Sequence, residues 1–398
     1  MKRIVIYILV MVSVLAVNAQ QSNELEEKFR PEIFGVTSLS IAPDARGASM
    51  GDMGVATDAD ANSQFWNCAK YPFNIARAGI SGSYTPWLRK IVTGINLANI
   101  SGFYRIGEYS AISGSLRYFG MGEVSIPDMG YTMRPYELAI DVAYSRMLSQ
   151  TFSMGVALRG IFSNMNYDPS QEATLGKAFA ADVTMYHQGY LMIGNRECAL
   201  SWGLSLTNIG TKINMGNSTH SDFLPAMFML GINMTVPINE YNRFSFGVEM
   251  SKPMVPTMPV VPEKQEDESD EAYAERLEKY ETQKDEDYYS LSSIAGIFKS
   301  WGDAPGGFAE EMKEFRWSFG AEYTYNDRFM LRAGYHYESP EKGNRQYATV
   351  GAGFKMSVFT IDAAYCIATA QGNPLDQTMR FSLGFDLDGM KDLFGKRR

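Results

Sequence analysis

The stretch EFRWSFGAEYTYNDRFMLRAGYHYE, residues 314–338, alternates with a period of two. Phe315, Trp317, Phe319, Ala321, Tyr323 and Tyr325 share one face of an extended chain. Arg316, Ser318, Gly320, Glu322 and Thr324 share the other. Asn326-Asp327 interrupts the pattern as a tight turn. Phe329, Leu331, Ala333, Tyr335 and Tyr337 then resume the apolar face, and Arg332, His336 and Glu338 the polar one. The spacing predicts two hairpin-linked strands, aromatic on one side and ionisable on the other.

The pattern recurs along the chain. Tyr136, Leu138, Ile140, Val142 and Tyr144 oppose Glu137, Asp141 and Ser145. Phe244, Phe246, Val248 and Met250 oppose Ser245, Gly247 and Glu249. Met379, Phe381, Leu383, Phe385 and Leu387 oppose Arg380, Ser382 and Asp386. Strands are expected at 78–87, 91–104, 109–119, 136–147, 152–163, 178–187, 197–207, 226–237, 243–251, 314–325, 329–338, 346–356, 358–369 and 378–387, an even number. Connections after the even-numbered strands are short, such as MLSQ, INEYN, ND and SV, with QGYLMIGNRE the longest. Those after the odd-numbered strands are mostly longer: 120–135, 164–177, 208–225, 252–313, SPEKGNR and AQGNPLDQ, with LRK the exception. Short turns on one rim and long loops on the other mark an outer-membrane barrel. No uncharged apolar window long enough for a spanning helix follows residue 19. That does not argue for a soluble protein, because barrel strands alternate and average to neutral; the aromatic content of 13% fits such strands. The fold class expected is all-β, a fourteen-stranded transmembrane antiparallel β-barrel over residues 76–398.

With both termini in the periplasm, the insertion at 252–313 is extracellular. PMVPTMPVVP opens it as an extended stem. A helix follows, with Ser269 as its N-cap and Tyr273, Leu277 and Tyr280 at helical spacing, and SLSSIAGIFKSW reads as a second short helix. Twelve acids against four bases between Glu263 and Asp287 leave a local balance of −8, most of the net −9, so nucleic acid is not an expected partner. On the long loops, Tyr131, Tyr167, Phe223, Tyr273, Tyr280 and Trp301 are the candidate contact residues for a macromolecular partner.

Ahead of the barrel, Met1-Lys2-Arg3, the apolar run 4–17 and Val17-Asn18-Ala19 read as a signal peptide cut after Ala19. Residues 20–75 are expected to form a periplasmic segment and a barrel plug. A fourteen-stranded barrel encloses more space than its inward side chains fill. The stretch SLSIAPDARGASMGDMGVATDADANSQFWNCAKYPF, residues 38–73, has small residues suited to close backbone packing. Its Asp44, Arg46, Asp52, Asp58 and Asp60 are expected to pair with lumen charges such as Arg117, Arg159, Arg332 and Arg380.

Chemical motifs fare poorly. Gly47-Ala48-Ser49-Met50-Gly51 matches the nucleophile-elbow pattern but lacks the α/β context. Asp58-Ala59-Asp60-Ala61-Asn62 imitates a calcium loop, yet Ser63 and Ala69 stand where Gly and Glu are needed, so an Asx-turn is the better reading. His336 has no serine beside it in sequence. Three scattered cysteines imply no disulfide framework, and the three histidines show no metal-ligand spacing. No catalytic residue, cofactor or metal is expected.

The segments 42–46 (Ala-Pro-Asp-Ala-Arg), 50–57 (MGDMGVAT), 60–64 (DANSQ) and 66–70 (WNCAK) together resemble the N-terminal signature of the PorV family of the type IX secretion system. Phe65 and Cys68 depart from it, the family having His and Pro there. The resemblance marks Asp44, Arg46, Met50, Gly51, Asp60, Asn62, Trp66 and Asn67 as the plug motif, with Asn67-Cys68-Ala69 a degenerate Asn-Pro-Ala turn. It implies a FadL-like barrel in the outer membrane, without catalysis, that binds the C-terminal signal domains of secreted cargo. Such a protein collects cargo at the type IX translocon and passes it to a sortase-like attachment complex. Two other functions compete with this one: uptake of hydrophobic molecules, as in fatty-acid transporters, and a role in lipopolysaccharide deacylation.

Overall fold

Alternation decides the architecture. The computed structural model describes residues 29–388 apart from 90, 91, 93, 127–130, 166–174, 216–219, 260, 263, 265–267, 371 and 372. The expected leader, 1–19, lies outside the described residues. Strands are β1 (Ala78–Pro86), β2 (Ile95–Ile106), β3 (Ser110–Met121), a small hairpin β4–β5 (Val124–Ile126, Tyr131–Met133), β6 (Tyr136–Met147), β7 (Phe152–Asn164), β8 (Gly176–Ile193), β9 (Arg196–Gly210), β10 (Met227–Asn239), β11 (Asn242–Pro253), β12 (Arg316–Tyr325), β13 (Phe329–Tyr337), β14 (Tyr347–Met356), β15 (Phe359–Ala368) and β16 (Met379–Asp386). All but β4–β5 form one closed antiparallel ring of fourteen, β16 pairing with β1. Barrel strands run from 8 residues in β16 to 18 in β8, against the roughly 9–11 that a tilted strand needs to cross a bilayer.

The register puts the two faces where the sequence predicts. Trp317, Phe319, Tyr325, Phe329 and Leu331 are exposed on the outside, while Arg316, Ser318, Glu322, Arg332 and His336 are buried in the lumen. Asn326 and Asp327 both take φ +53, the left-handed pair at the centre of a turn in which Arg328 N donates to Tyr325 O at 3.1 Å, within a three-residue connection that follows the twist of its strands.

Three features differ from expectation. QGYLMIGNRE is not a loop: β8 runs on to Ile193 and β9 starts at Arg196, because Tyr190-Leu191-Met192-Ile193 is itself strand-like and Gly194 supplies the turn at φ +62. β2 begins at Ile95, so the first connection spans 87–94 and no longer breaks the rim rule. A register shift between Ala181 and Val183 bulges β9, and Asn208 there takes φ +58 and donates its amide to Asp182 Oδ1 at 2.7 Å.

The insertion forms α3 (Asp270–Lys284), a π-helical turn (Asp285–Tyr289), α4 (Ser293–Lys299) and α5 (Phe308–Glu311); α1 (Ala45–Ser49) and α2 (Ser63–Trp66) precede the barrel. Ser269 caps α3 as predicted, accepting from Ala272 N at 3.2 Å.

The N-terminal segment crosses the ring from the long-loop rim to the short-turn rim. Residues 29–36 stand among the long loops: Arg30 N donates to Glu341 O and Gly35 N to Phe223 O. The chain leaves the lumen near Asn74, whose carbonyl accepts from Arg105 beside the turn at 107–109. Residues 29–36 thus stand on the same rim as the insertion.

Candidate functional site

The luminal segment is held by its own backbone caps and by wall groups on nearly every strand. Asp44 caps α1, its Oδ2 accepting from Gly47 N at 2.8 Å, while Oδ1 accepts from Trp66 Nε1 at 2.7 Å. The Trp66 ring lies flat on glycine backbone: a Cβ on Gly47 would come 2.5 Å from it. The wall approaches as closely. A Cβ on Gly320 would stand 2.7 Å from Met50 O, and one on Gly51 (φ +77) would stand 2.7 Å from Tyr335 O. Absence of side chains on both surfaces is what lets backbone meet backbone there.

Polar contacts follow the same division. Gly54 N and Val55 N both donate to Glu249 Oε2 at 2.9 Å. Arg46 meets Asp60 at 3.0 Å, the Asp58 carbonyl at 3.0 Å and Glu322 at 3.3 Å. Asp52 accepts from Arg380 at 2.6 Å and from Tyr347 OH. Asn67 donates to Val55 O and Met185 O and caps the following 3-10 turn at Ala69 N. Asp60 Oδ1 accepts from Asn62 N at 2.9 Å, the Asx-turn expected instead of a calcium loop. Met50 is buried against Gly320 and Gly334. All eight residues of the plug motif thus sit in one luminal body. Phe65 lies under the Arg117 guanidinium at 4.6 Å, and Cys68 Sγ meets Thr184 Oγ1 at 3.3 Å, so both departures from the family pattern pack against wall residues.

Of the five charged residues expected to pair with the wall, Asp52 pairs with Arg380 and Arg46 with Glu322 among the described residues. Asp44 turns to Trp66 instead. Arg159 is taken by Asp141 at 2.6 Å and Asp182 at 2.9 Å, and Arg332 by Glu322 at 2.5 Å and Asp362 at 2.6 Å, all wall residues, three of them on an adjacent strand and Asp362 two strands away on β15. Arg117 donates to the Ser38 carbonyl. The acceptor role of Glu249 and the Arg46–Glu322 pair are not legible from spacing, although both glutamates fall on the inward parity.

Two larger cavities flank the segment, besides a pocket of about 80 Å³ beside Phe65 and Trp66. One of about 480 Å³ opens at the long-loop rim among Trp87, Leu88, Leu375, Asp52, Arg345 and Arg380. The other, about 350 Å³, opens at the short-turn rim beside Asp58, Ile75, Phe103 and Asp362. They share no lining residue. His336 Nδ1 does lie 3.0 Å from Ser318 Oγ, a cross-strand neighbour that sequence could not reveal. The ring stacks on Tyr347 at 4.9 Å and Ser318 Oγ also reaches Asp52 O, so both belong to the packing around the luminal segment. Among the described residues no group of three His, Cys, Asp or Glu is arranged to hold a metal ion.

The long-loop rim carries a buried charge network absent from the sequence reading. Lys252 lies 3.0 Å from Glu311 and 2.5 Å from Glu314, and Lys342 lies 3.0 Å from both Glu310 and Glu314. Glu338 pairs with Arg316 at 2.6 Å and Arg345 at 2.7 Å. Burial alone would raise the Glu310 carboxyl, but the Lys342 ammonium and the Gly306 amide beside it hold it below the usual carboxylate range. Burial would lower Lys342, yet the charge of Glu314 and contact with Glu310 outweigh that and raise it.

The candidate contact residues divide. Phe223, 4% exposed, and Tyr280, 6% exposed, are corrected: both are buried within the loops, Phe223 edge-on to Tyr288 at 5.2 Å, and neither offers a surface. Tyr273 is half-buried on α3, and Trp301 is 43% exposed. Tyr167 and the side chain of Tyr131 lie outside the described residues.

The family model described as "Type IX secretion system protein PorV" matches residues 25–260, more than half of the 398. No curated protein matches the chain. Similar solved structures include the Pseudomonas putida toluene transporter TodX (10% identity, 90% of this chain and 99% of that one, TM-score 0.45). A Pseudomonas aeruginosa FadL homologue (12% identity, 86% and 98%, TM-score 0.41) and the Ralstonia pickettii toluene transporter TbuX (11% identity, 86% and 96%, TM-score 0.40) are also similar. A fourteen-stranded ring with an aromatic exterior and an ionised interior, matched over most of its length by that family model, makes this chain an outer-membrane β-barrel belonging to the PorV family of type IX secretion system proteins.

Proposed function

We propose that the protein works without catalysis as a docking shuttle. It binds the C-terminal signal domains of secreted cargo through its long loops, receives them from the type IX translocon, and passes them to the sortase-like attachment complex. The observation carrying this reading is the occupied lumen: residues 38–74 bond to the wall all the way across, which suits a plug and a docking surface better than conduction. The braced loop rim supports it too, because a pre-organised surface loses less entropy on binding. The test is capture of a cargo signal domain by the purified chain, compared with variants in which 212–222 or 256–299 is replaced by a short Gly-Ser linker. Weakened capture is expected. Undiminished capture with both loops replaced overturns the loop model. In cells, loss of the gene is expected to leave secreted proteins in the periplasm.

Uptake of hydrophobic molecules is the second reading, and the partly apolar rim cavity favours it. It requires a path to the other rim, and the two cavities have no lining residue in common. Saturable binding of a labelled long-chain fatty acid, lost on filling the cavity by Leu88→Trp, would support uptake. A role in lipopolysaccharide deacylation rests on the Ser318–His336 contact alone, and intact acylation in a deletion strain excludes it.

A further inference from the structure

We infer that the returning limb of the insertion, Ser293 to Met312, is a membrane foot whose exposed apolar side chains enter the outer leaflet beside β9–β12. Its occupant is lipid, at the boundary of headgroups and acyl chains. The proposal rests on the outer-membrane barrel and not on the cargo reading.

Lys252 gives the direction. It continues the outward parity of Phe246, Val248 and Met250, and stands opposite Phe228, another outward position, in the β10–β11 register. Yet Lys252 is 0% exposed, because Ser300 O accepts from it at 2.8 Å and Glu311 and Glu314 enclose it. A limb that covers an outward-pointing side chain lies on the outside of the wall. Trp301 agrees: its ring meets Phe228 edge-on at 5.4 Å and Phe315 at 6.3 Å, both on the outward face.

The radial order of contacts says which way α4 faces. Tyr288 OH donates to Ile33 O at the lumen mouth, Tyr288 packs on Phe223, and a Cβ on Gly296 would come 2.6 Å from Phe223. Gly296 is therefore the axis-facing side of α4. Ile294 and Phe298, two residues to either side, point the opposite way and are 64% and 75% exposed. Phe308 and Met312 are exposed on the same limb. These side chains belong to the limb that covers Phe228 and Lys252, the outward positions at the end of the exposed apolar band formed on β10–β12 by Ile232, Val248 and Phe319. An apolar surface contiguous with a lipid-facing wall, with a tryptophan at the seam, has the composition of an interfacial anchor.

The experiment uses the full chain in nanodiscs of phosphatidylcholine and phosphatidylglycerol. Cysteines 68, 198 and 366 are buried, so a nitroxide goes to a single added site: Phe298→Cys, with Leu331→Cys as the lipid-facing control and Glu278→Cys on α3 as the aqueous one. Accessibility to molecular oxygen against a water-soluble nickel chelate is read at each. The expected result is a shift at 298 away from the value at 278 and toward that at 331. Equal values at 298 and 278, with 331 remaining lipid-like, overturn the foot; a protein-docking patch without its partner gives this same result. Chelate access at 331 as well would instead contradict the membrane-embedded barrel on which the foot rests.

Discussion

At position 334 the wall carries no side chain because Met50 and the Gly51 amide occupy the space one would need. Gly334→Val is therefore expected to displace the luminal segment while sparing the ring. Heat-modifiable migration on a gel should persist, and trypsin should gain access to Arg46 and Lys70, which the native protein keeps buried or nearly so. Retained protection of both sites would contradict the close approach. Asp44→Ala removes both a helix cap and the acceptor of Trp66 Nε1, so a loss of about 1 kcal/mol for the cap, plus more for the orphaned indole, should appear as a lower melting temperature in detergent. Residue identities announced the inward charges but not their partners. Adjacent strands lie about 4.8 Å apart, so Arg159 finds Asp141 and Asp182 across the wall before it finds anything in the plug. Which neighbour wins is a property of register, and a single sequence does not display it.

The insertion shows the same split between what is local and what is not. Ser269 caps α3 as its spacing indicates, and Ser292 caps α4 in the same way, because a cap is settled within four residues. That Tyr280 and Phe223 are buried was not legible, since their partners come from distant parts of the loop rim. The rim network joins such parts: Lys252→Met leaves Glu311 without its cation and Glu314 with Lys342 alone, an uncompensated burial of about 3–5 kcal/mol. Hydrogen exchange in 300–314 should rise while the strands remain protected; unchanged protection would refute the brace. Acid and alkali act on it with opposite signs. Glu310 is held below its ordinary 4.5, so its contribution is present above that value and is lost as pH falls through the folded-state pKa. Lys342 is raised above 10.5, so its contribution is present below that value and is lost as pH climbs through the folded-state pKa. Protection of 306–314, corrected for intrinsic exchange, should be flat through neutrality and drop only at the acid and alkaline extremes. A step near pH 7 would contradict this assignment.

Across the whole molecule, alternation and the rhythm of short and long connections were enough to specify a fourteen-stranded ring, because lipid outside and charge inside impose period two on every strand. The route of the N-terminal segment was not legible: small residues predict close packing, but not that residues 29–36 stand among the long loops. The central claim is that residues 38–74 occupy the bore and make the barrel a docking body, not a pore. Conductance in a planar lipid bilayer tests it most directly. The intact chain should give no steady current, and a variant lacking 38–74 should give a large, persistent one. A steady current through the intact chain, equal to that of the variant, would contradict the account.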